Sequence, residues 1–268
     1  MVAFPPCKIN LGLNILSKRS DGYHNISTCF YPIPWTDVLE VLENSEMKFV
    51  QTGIPIPGKA EENLCLKAYQ LLKQDFKLPS IQIHLHKNIP TGAGLGGGSS
   101  DASYMIRLLN ELFNLGLSQQ KMRDYAFALG SDCPFFIQDH PMMGSGRGEV
   151  LMPVNISLRG YFIVILTPGI HVSTKEAYDG VELGMKGHEL GNAIQGPLTQ
   201  WKDYICNDFE KKIFITNPVI KKLREDLYSQ GAVYASMSGS GSSVFGIFDK
   251  KIKASEIFNE NFGWAGEL

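Results

Sequence analysis

Residues 90–103 read Pro-Thr-Gly-Ala-Gly-Leu-Gly-Gly-Gly-Ser-Ser-Asp-Ala-Ser, with five glycines in the seven positions Gly92 to Gly98. Just upstream, Ile81, Ile83 and Leu85 alternate with Gln82, His84 and His86. That period of two predicts a strand with one buried face. Just downstream, Met105, Leu108, Leu109 and Leu112 recur at helical spacing, and Gly116 is the expected stop. The chain must therefore run strand, glycine loop, helix. Glycine has no side chain to hold a ligand off and tolerates positive φ. Such a loop lets backbone N–H groups converge on an anion at a helix N-terminus, where the dipole also favours negative charge.

Two familiar phosphate loops do not fit. A P-loop needs Lys followed by Ser or Thr where this chain has Ser99-Ser100-Asp101. Gly92, Gly94 and Gly97 match the letters of a dinucleotide fingerprint, but the strand before them is half polar. The chain has 25 basic and 27 acidic residues, for a net charge of −2. No global basic field exists to hold nucleic acid or an anionic membrane, so a phosphorylated ligand needs a local device. The length of 268 residues suits one large domain or two smaller ones. We place the best boundary near residues 150–160, giving domains at 1–155 and 156–268. Five scattered cysteines without a C-x-x-C pair read as reduced thiols of a cytoplasmic protein. No signal peptide or membrane span is expected.

Other elements follow from pattern. Helices are expected over about Glu62 to Lys73, and after Ser118 as N-cap with Gly130 closing. Tyr161–Leu166 reads as a buried strand. Asn217 caps a helix with Pro218 at its first position, and Val219, Ile220, Leu223 and Leu227 form its apolar face. Val233–Met237 and Val244–Phe248 flank the Ser/Gly loop Ser238–Ser243.

Several residues could carry chemistry. Ile9, Leu11, Leu13 and Ile15 alternate with Lys8, Asn10, Gly12 and Asn14, a strand whose second face is polar. That face either meets solvent or lines a site. Asp21-Gly22 is a turn, followed by Tyr23-His24, where a structural His competes with one that pairs with a planar base. Asp132 follows a helix and reads either as a cap or as a catalytic carboxylate beside a cation. The Ser238–Ser243 loop is either a loose connection or a second anion cradle. His84 and His86 form an H-x-H pair with no third metal ligand in view.

The N-terminal strand, the glycine stretch and Met237-Ser238-Gly239-Ser240-Gly241, in this order, resemble the GHMP kinase superfamily. The resemblance spans nearly the whole chain. It implies an α+β two-domain fold, with a ribosomal-protein-like N-terminal domain, a ferredoxin-like C-terminal domain and the active site in the cleft between. Finer features narrow it: Lys8-Ile9-Asn10-Leu11, Asp21-Gly22-Tyr23-His24, Ser131-Asp132-x-Pro134-Phe135-Phe136 and Asn207-Asp208-Phe209-Glu210. These look like the branch that phosphorylates the 2-hydroxyl of a cytidine-diphosphate-linked methylerythritol in non-mevalonate isoprenoid biosynthesis. A kinase for homoserine, mevalonate or a sugar, or a non-catalytic metabolite sensor, remains as the alternative.

The resemblance implies roles residue by residue. Asp132 is the general base and Lys8 its partner. Pro90, Gly92, Ala93, Gly94, Leu95, Gly96, Gly97, Gly98, Ser99 and Ser100 wrap the phosphates of ATP with Mg²⁺, and Asn63 and Lys87 contact its adenosine part. Asn10, Thr174 and the Ser238, Gly239, Ser240 and Gly241 loop hold the acceptor. His24 hydrogen-bonds the cytosine, and Tyr23 and Tyr178 sandwich it. No metal cluster of the protein itself is implied. The expected partner is the small-molecule substrate, with no nucleic acid or membrane, for a monomer or weak homodimer.

Overall fold

The structure is a computed structural model that describes residues 1–179, 181, 190–253 and 262–268. Its strands are β1 (Val2–Ala3), β2 (Pro6–Lys18), β3 (His24–Thr36), β4 (Val38–Glu43), β5 (Lys48–Gly53), β6 (Ile81–Lys87), β7 (Met142–Ser145), β8 (Val150–Pro153), β9 (Phe162–Thr167), β10 (Tyr234–Met237), β11 (Val244–Phe248) and β12 (Phe262–Glu267). Its helices are α1 (Leu64–Asp75), α2 (Gly97–Leu112), α3 (Gln119–Leu129), α4 (Thr174–Tyr178), α5 (Leu190–Ala193), α6 (Trp201–Tyr204), α7 (Glu210–Thr216) and α8 (Pro218–Ser229). The chain folds into two compact units that interleave in sequence. Unit 1 comprises Met1–Lys8, Pro32–Thr91 and Gly96–Asp139; unit 2 comprises Ile9–Tyr31, Gly92–Leu95 and His140–Leu268. The boundary expected at residue 155 thus lies inside unit 2, which also takes in two N-terminal stretches.

Unit 1 is built on a sheet of order β1-β4-β6-β5, in which β5 runs parallel to β6 and the other pairs are antiparallel. Ile81, Ile83 and Leu85 are fully buried, as their period of two requires. They share a core with the apolar sides of α1, α2 and α3, including Leu72, Met105, Leu109 and Ala126. Asn63 caps α1 by accepting the Cys65 N–H at 2.9 Å, and Ser118 caps α3 by accepting that of Lys121 at 3.2 Å. Helix α2 stops a turn short of Gly116, at Leu112. Asn114 already takes a positive φ of 50°, so the chain leaves the helix before the glycine is reached.

Unit 2 holds one whole sheet and most of another, whose strands β2 and β3 each have one end counted in unit 1. One has the order β2-β3-β7-β8 and the other, wholly antiparallel, β10-β11-β9-β12. Asp21-Gly22 makes the turn between β2 and β3: Asp21 accepts the Tyr23 N–H at 3.1 Å and Gly22 has a φ of 86°. Leu13, Ile15 and Ile26 join one core with Val164, Leu166 and the buried faces of α7 and α8. Pro218 opens α8 as expected, but the Asn217 side chain makes no capping bond; its amide turns to the Thr216 hydroxyl at 3.0 Å. Val219 is also exposed, so the apolar face of α8 is Ile220, Leu223 and Leu227. Among the described residues no helix is long and apolar enough to cross a membrane.

Candidate active site

In unit 1 the glycine stretch delivers α2. Gly96 precedes the helix with a left-handed φ of 70°, and no side chain caps it. That sets α2 apart from α1 and α3, whose first N–H groups are met by a side chain. The Ser100 hydroxyl, in the first turn, is buried without a hydrogen-bond partner. The start of α2 therefore combines a positive dipole end with unclaimed donors. A Cβ on Gly96 would crowd the Lys8 side chain at 3.1 Å and the Phe136 ring at 3.0 Å. Only glycine lets the lysine stem lie this close to the helix start.

Lys8 is 3% exposed, so the polar face of β2 does not meet solvent; Asn10 and Asn14 are buried with it. The Lys8 ammonium stands 3.5 Å from Asp132 Oδ2. Burial pushes the Lys8 pKa down, and the Asp132 carboxylate opposes that shift. Asp132 precedes a 3-10 turn over Cys133–Ile137 yet makes no capping bond with its side chain. Its carboxylate keeps one-third of its surface open, at 33%. The cap reading of Asp132 therefore gives way to the ion pair.

Lys87 is 1% exposed and buried between two carboxylates. Its ammonium donates to Asp37 and, at 2.7 Å, to Asp101 in the second turn of α2. Burial opposes its charge, but the two carboxylates outweigh that and raise its pKa. Asp37 also accepts the backbone N–H groups of Asn88 at 2.6 Å and Ile89 at 2.9 Å. Asp101 keeps one oxygen without a partner, and burial pushes its pKa up to about 7. The ammonium lies 3.3 Å from where a Cβ on Gly97 would sit. Lys87, expected to touch adenosine, is thus committed to a buried triad that ties the end of β6 to α2. Nothing in the sequence pattern singled out Asp37 or Asp101, because Asp37 meets Lys87 across fifty residues of chain. Asn63, also expected at adenosine, serves as the α1 cap.

In unit 2, Asn10 donates its amide to Thr28 Oγ1 at 2.9 Å, and Thr28 donates onward to the Gly12 carbonyl at 2.6 Å. The Ser238 hydroxyl donates to the Gly94 carbonyl at 2.9 Å and accepts the Asn10 N–H at 3.3 Å. Ser243 N–H donates to the Ala93 carbonyl at 3.1 Å. Gly94 has a φ of 79°, and a Cβ there would overlap the Ser238 carbonyl. The Ser/Gly loop, with Gly239 and Gly241 both at positive φ, is closed on itself by Ser238 N–H to Ser243 O at 2.9 Å. It is a brace beneath Ala93 and Gly94 rather than a loose connection.

The aromatic set lies in the same unit. Tyr178 ends α4, whose first residue is Thr174 and whose N-cap Ser173 completes a capping box with Glu176. The rings of Tyr178 and His24 stack at 4.7 Å with an interplanar angle of 12°. Burial and the charge of Lys18 lower the His24 pKa, which favours the neutral ring with one donor and one acceptor nitrogen. Tyr23 was expected opposite Tyr178, but it is His24 that stacks there. Tyr23 is 56% exposed and carries the Arg147 guanidinium over its ring at 4.7 Å. Arg147 had no sequence signal. His84 and His86 share a different partner, the Thr52 hydroxyl, at 2.9 and 2.8 Å.

Sequence models of the GHMP kinases match the chain twice, the N-terminal domain over residues 63–140 and the C-terminal domain over residues 190–262. The class defined by this fold and these residues is a GHMP kinase. Mevalonate kinase of Methanococcus jannaschii shares the fold at a TM-score of 0.74 and 15% identity, over 99% of this chain and 96% of that one. A crystal structure of 4-(cytidine 5'-diphospho)-2C-methyl-D-erythritol kinase superposes with a TM-score of 0.81 at 30% identity, over 99% and 98% of the two chains. The 4-diphosphocytidyl-2-C-methyl-D-erythritol kinase of Bacteroides fragilis is 50% identical over the full length of both chains. That of Cytophaga hutchinsonii is 52% identical over 97% of this chain and 96% of its own. The chain belongs to the 4-diphosphocytidyl-2-C-methyl-D-erythritol kinase family.

Proposed function

We propose that this chain transfers the γ-phosphoryl group of ATP to the 2-hydroxyl of 4-diphosphocytidyl-2-C-methyl-D-erythritol, with Asp132 as the proton acceptor. The observation that carries this reading is the Lys8–Asp132 pair at 3.5 Å, with the lysine stem against Gly96 at the uncapped start of α2. In the transfer, the acceptor oxygen bonds the γ-phosphorus, the bond from that phosphorus to the β,γ-bridging oxygen breaks, and the hydroxyl proton passes to Asp132. Lys8 compensates negative charge on the reacting oxygens, and positioning supplies most of the rest. The first turn of α2, Gly97 to Ser100, receives the phosphates. The partnerless Ser100 hydroxyl is a hard oxygen that fits Mg²⁺, which would neutralise the triphosphate when bound.

His24 and Tyr178 supply a neutral hydrogen-bonding ring and an aromatic face for cytosine. A planar hydrogen-bonding ring beside an aromatic one favours a base-tagged acceptor over homoserine, mevalonate or a simple sugar, none of which carries a planar base; the base would take a place alongside the rings that now stack on each other. Gly98→Ala tests the phosphate side. A Cβ there meets only Leu64 at 3.9 Å, so the protein accommodates it while a phosphate close to the backbone does not. The expected result is a KM for ATP raised at least about tenfold with an unchanged melting temperature. An assay across the four acceptor types tests the other side. Turnover of mevalonate or homoserine in preference to the cytidylated alcohol would overturn the assignment.

A further inference from the structure

Asn207-Asp208-Phe209-Glu210 lie before and at the start of α7, and all four side chains grip different parts of unit 2. The Asn207 amide donates to the carbonyls of Met237 and Gly239, each at 2.8 Å, and its oxygen accepts the Phe209 N–H at 3.1 Å. Glu210 accepts the Met237 N–H at 2.7 Å and the Ser236 hydroxyl at 2.8 Å, and is balanced by Arg224 at 2.6 Å. Ser238 sits between the two carbonyls that Asn207 holds, and its hydroxyl reaches the Gly94 carbonyl. Asp208 accepts the Ile15 N–H at 2.8 Å, fixing the turn against β2. Phe209 is buried and meets the Tyr178 ring edge-on at 4.8 Å and 90°, while the same tyrosine stacks on His24.

We propose that Asn207 and Phe209 are positioning residues for two separate subsites: Asn207 sets the glycine loop through Ser238, and Phe209 sets the cytosine face through Tyr178. This rests on the assignment above of the glycine loop to ATP and of His24 and Tyr178 to cytosine. The chemistry of each residue fits its task. A carboxamide is the side chain that donates twice while still accepting, so it can hold two carbonyls and its own turn together. Losing it takes the amide donor from the Gly239 carbonyl and leaves the Met237 carbonyl the longer Ser236 hydroxyl contact at 3.4 Å, which lets the Ser238 brace relax. An aromatic edge fixes the plane of a neighbouring ring, which an aliphatic side chain of similar bulk does not.

The test is a pair of KM measurements on the purified full-length enzyme, one varying ATP and one the cytidylated acceptor. Asn207→Ala is expected to raise the KM for ATP about tenfold, equivalent to about 1.4 kcal/mol, and to leave that for the acceptor within about twofold. Phe209→Leu is expected to do the reverse. Ser238→Ala cuts the Asn207 connection one step further along and should repeat the rise in KM for ATP, which covers a failure of Asn207→Ala to fold; because the same hydroxyl accepts the Asn10 N–H, only the KM for ATP is read for this variant. Asn207→Asp sets a carboxylate against two carbonyls; its KM for ATP relative to wild type should fall from pH 8 to pH 6, as protonation restores one donor. Gly98→Ala and His24→Ala run in parallel as direct probes of the two subsites. If those two move their own KM values and the Asn207 and Phe209 variants move neither, or move both together, the proposal fails. If Gly98→Ala and His24→Ala are themselves silent, the subsite assignments fall first and the positioning roles with them.

Discussion

Lys8 keeps its ammonium in a place where water cannot serve it, and the Asp132 carboxylate is what offsets that cost. The pair is therefore a joint device, with the carboxylate partly open to an incoming hydroxyl and the lysine held back against Gly96. Asp132→Asn keeps the shape and removes the base together with the charge that offsets the burial of Lys8. Its turnover should fall by about a hundredfold, with both KM values within about twofold of wild type. Steady-state kinetics that returned wild-type turnover would take Asp132 out of the mechanism. At this scale the sequence was legible where chemistry sits next to a recognisable pattern, as for Lys8 in β2 or Asp132 after α3. It was not legible where a side chain changes job by meeting a distant partner. Lys87 looked like a ligand contact and proved to be the centre of a buried triad, because Asp37 and Asp101 approach it from elements that no local pattern connects.

At the scale of elements, that triad makes α2 sensitive to pH. Burial raises the Asp101 pKa to about 7, while in the unfolded chain it returns to about 3.9. The folded state thus holds the proton more tightly, so stability is greatest at low pH and declines as pH rises through this window. Lys87 stays charged throughout that range, since burial is outweighed by the carboxylates of Asp101 and Asp37 that raise its pKa, but its pairing with Asp101 weakens wherever Asp101 holds a proton. Asp101→Asn removes the proton-linked part. From pH 5 to pH 8 the wild-type chain should lose stability relative to this variant, measured by urea unfolding at each pH. Parallel curves for the two proteins would show that Asp101 does not titrate there. The elements themselves were read well from periodicity. Strands β6, β9 and β11 and helices α1, α3 and α8 all lie where the apolar spacing put them, each to within a few residues. The misses were at ends and faces, such as the uncapped Asn217 and the exposed Val219, where tertiary packing decides between equally permitted local choices.

For the whole molecule, what matters is that the chain passes between its two units five times, at residues 8/9, 31/32, 91/92, 95/96 and 139/140. A single cut near residue 155 cannot yield two self-sufficient halves. Leu13, Ile15 and Ile26 pack with β9, β11 and α8, all of which lie beyond such a cut. A fragment of residues 1–155 should therefore protect the amides of β4 and β6 from hydrogen exchange but not those of Leu13 to Ile15 and Ile26. Equal protection in both regions would show that β2 and β3 need no C-terminal core. The interleaving was invisible in the sequence because composition does not shift at the crossing points. The folded chain also sorts its thiols by burial. Cys7, Cys29, Cys65 and Cys133 are buried, and Cys206, beside the Asn207 turn, is the exposed one. A maleimide should thus add once to the native chain and five times in denaturant, read by intact mass. The native reaction should be slow, since burial and Asp208 raise the Cys206 pKa and keep thiolate scarce. A fluorophore attached there would need no engineered cysteine to report, in solution and in real time, on the turn that grips the Ser238 brace.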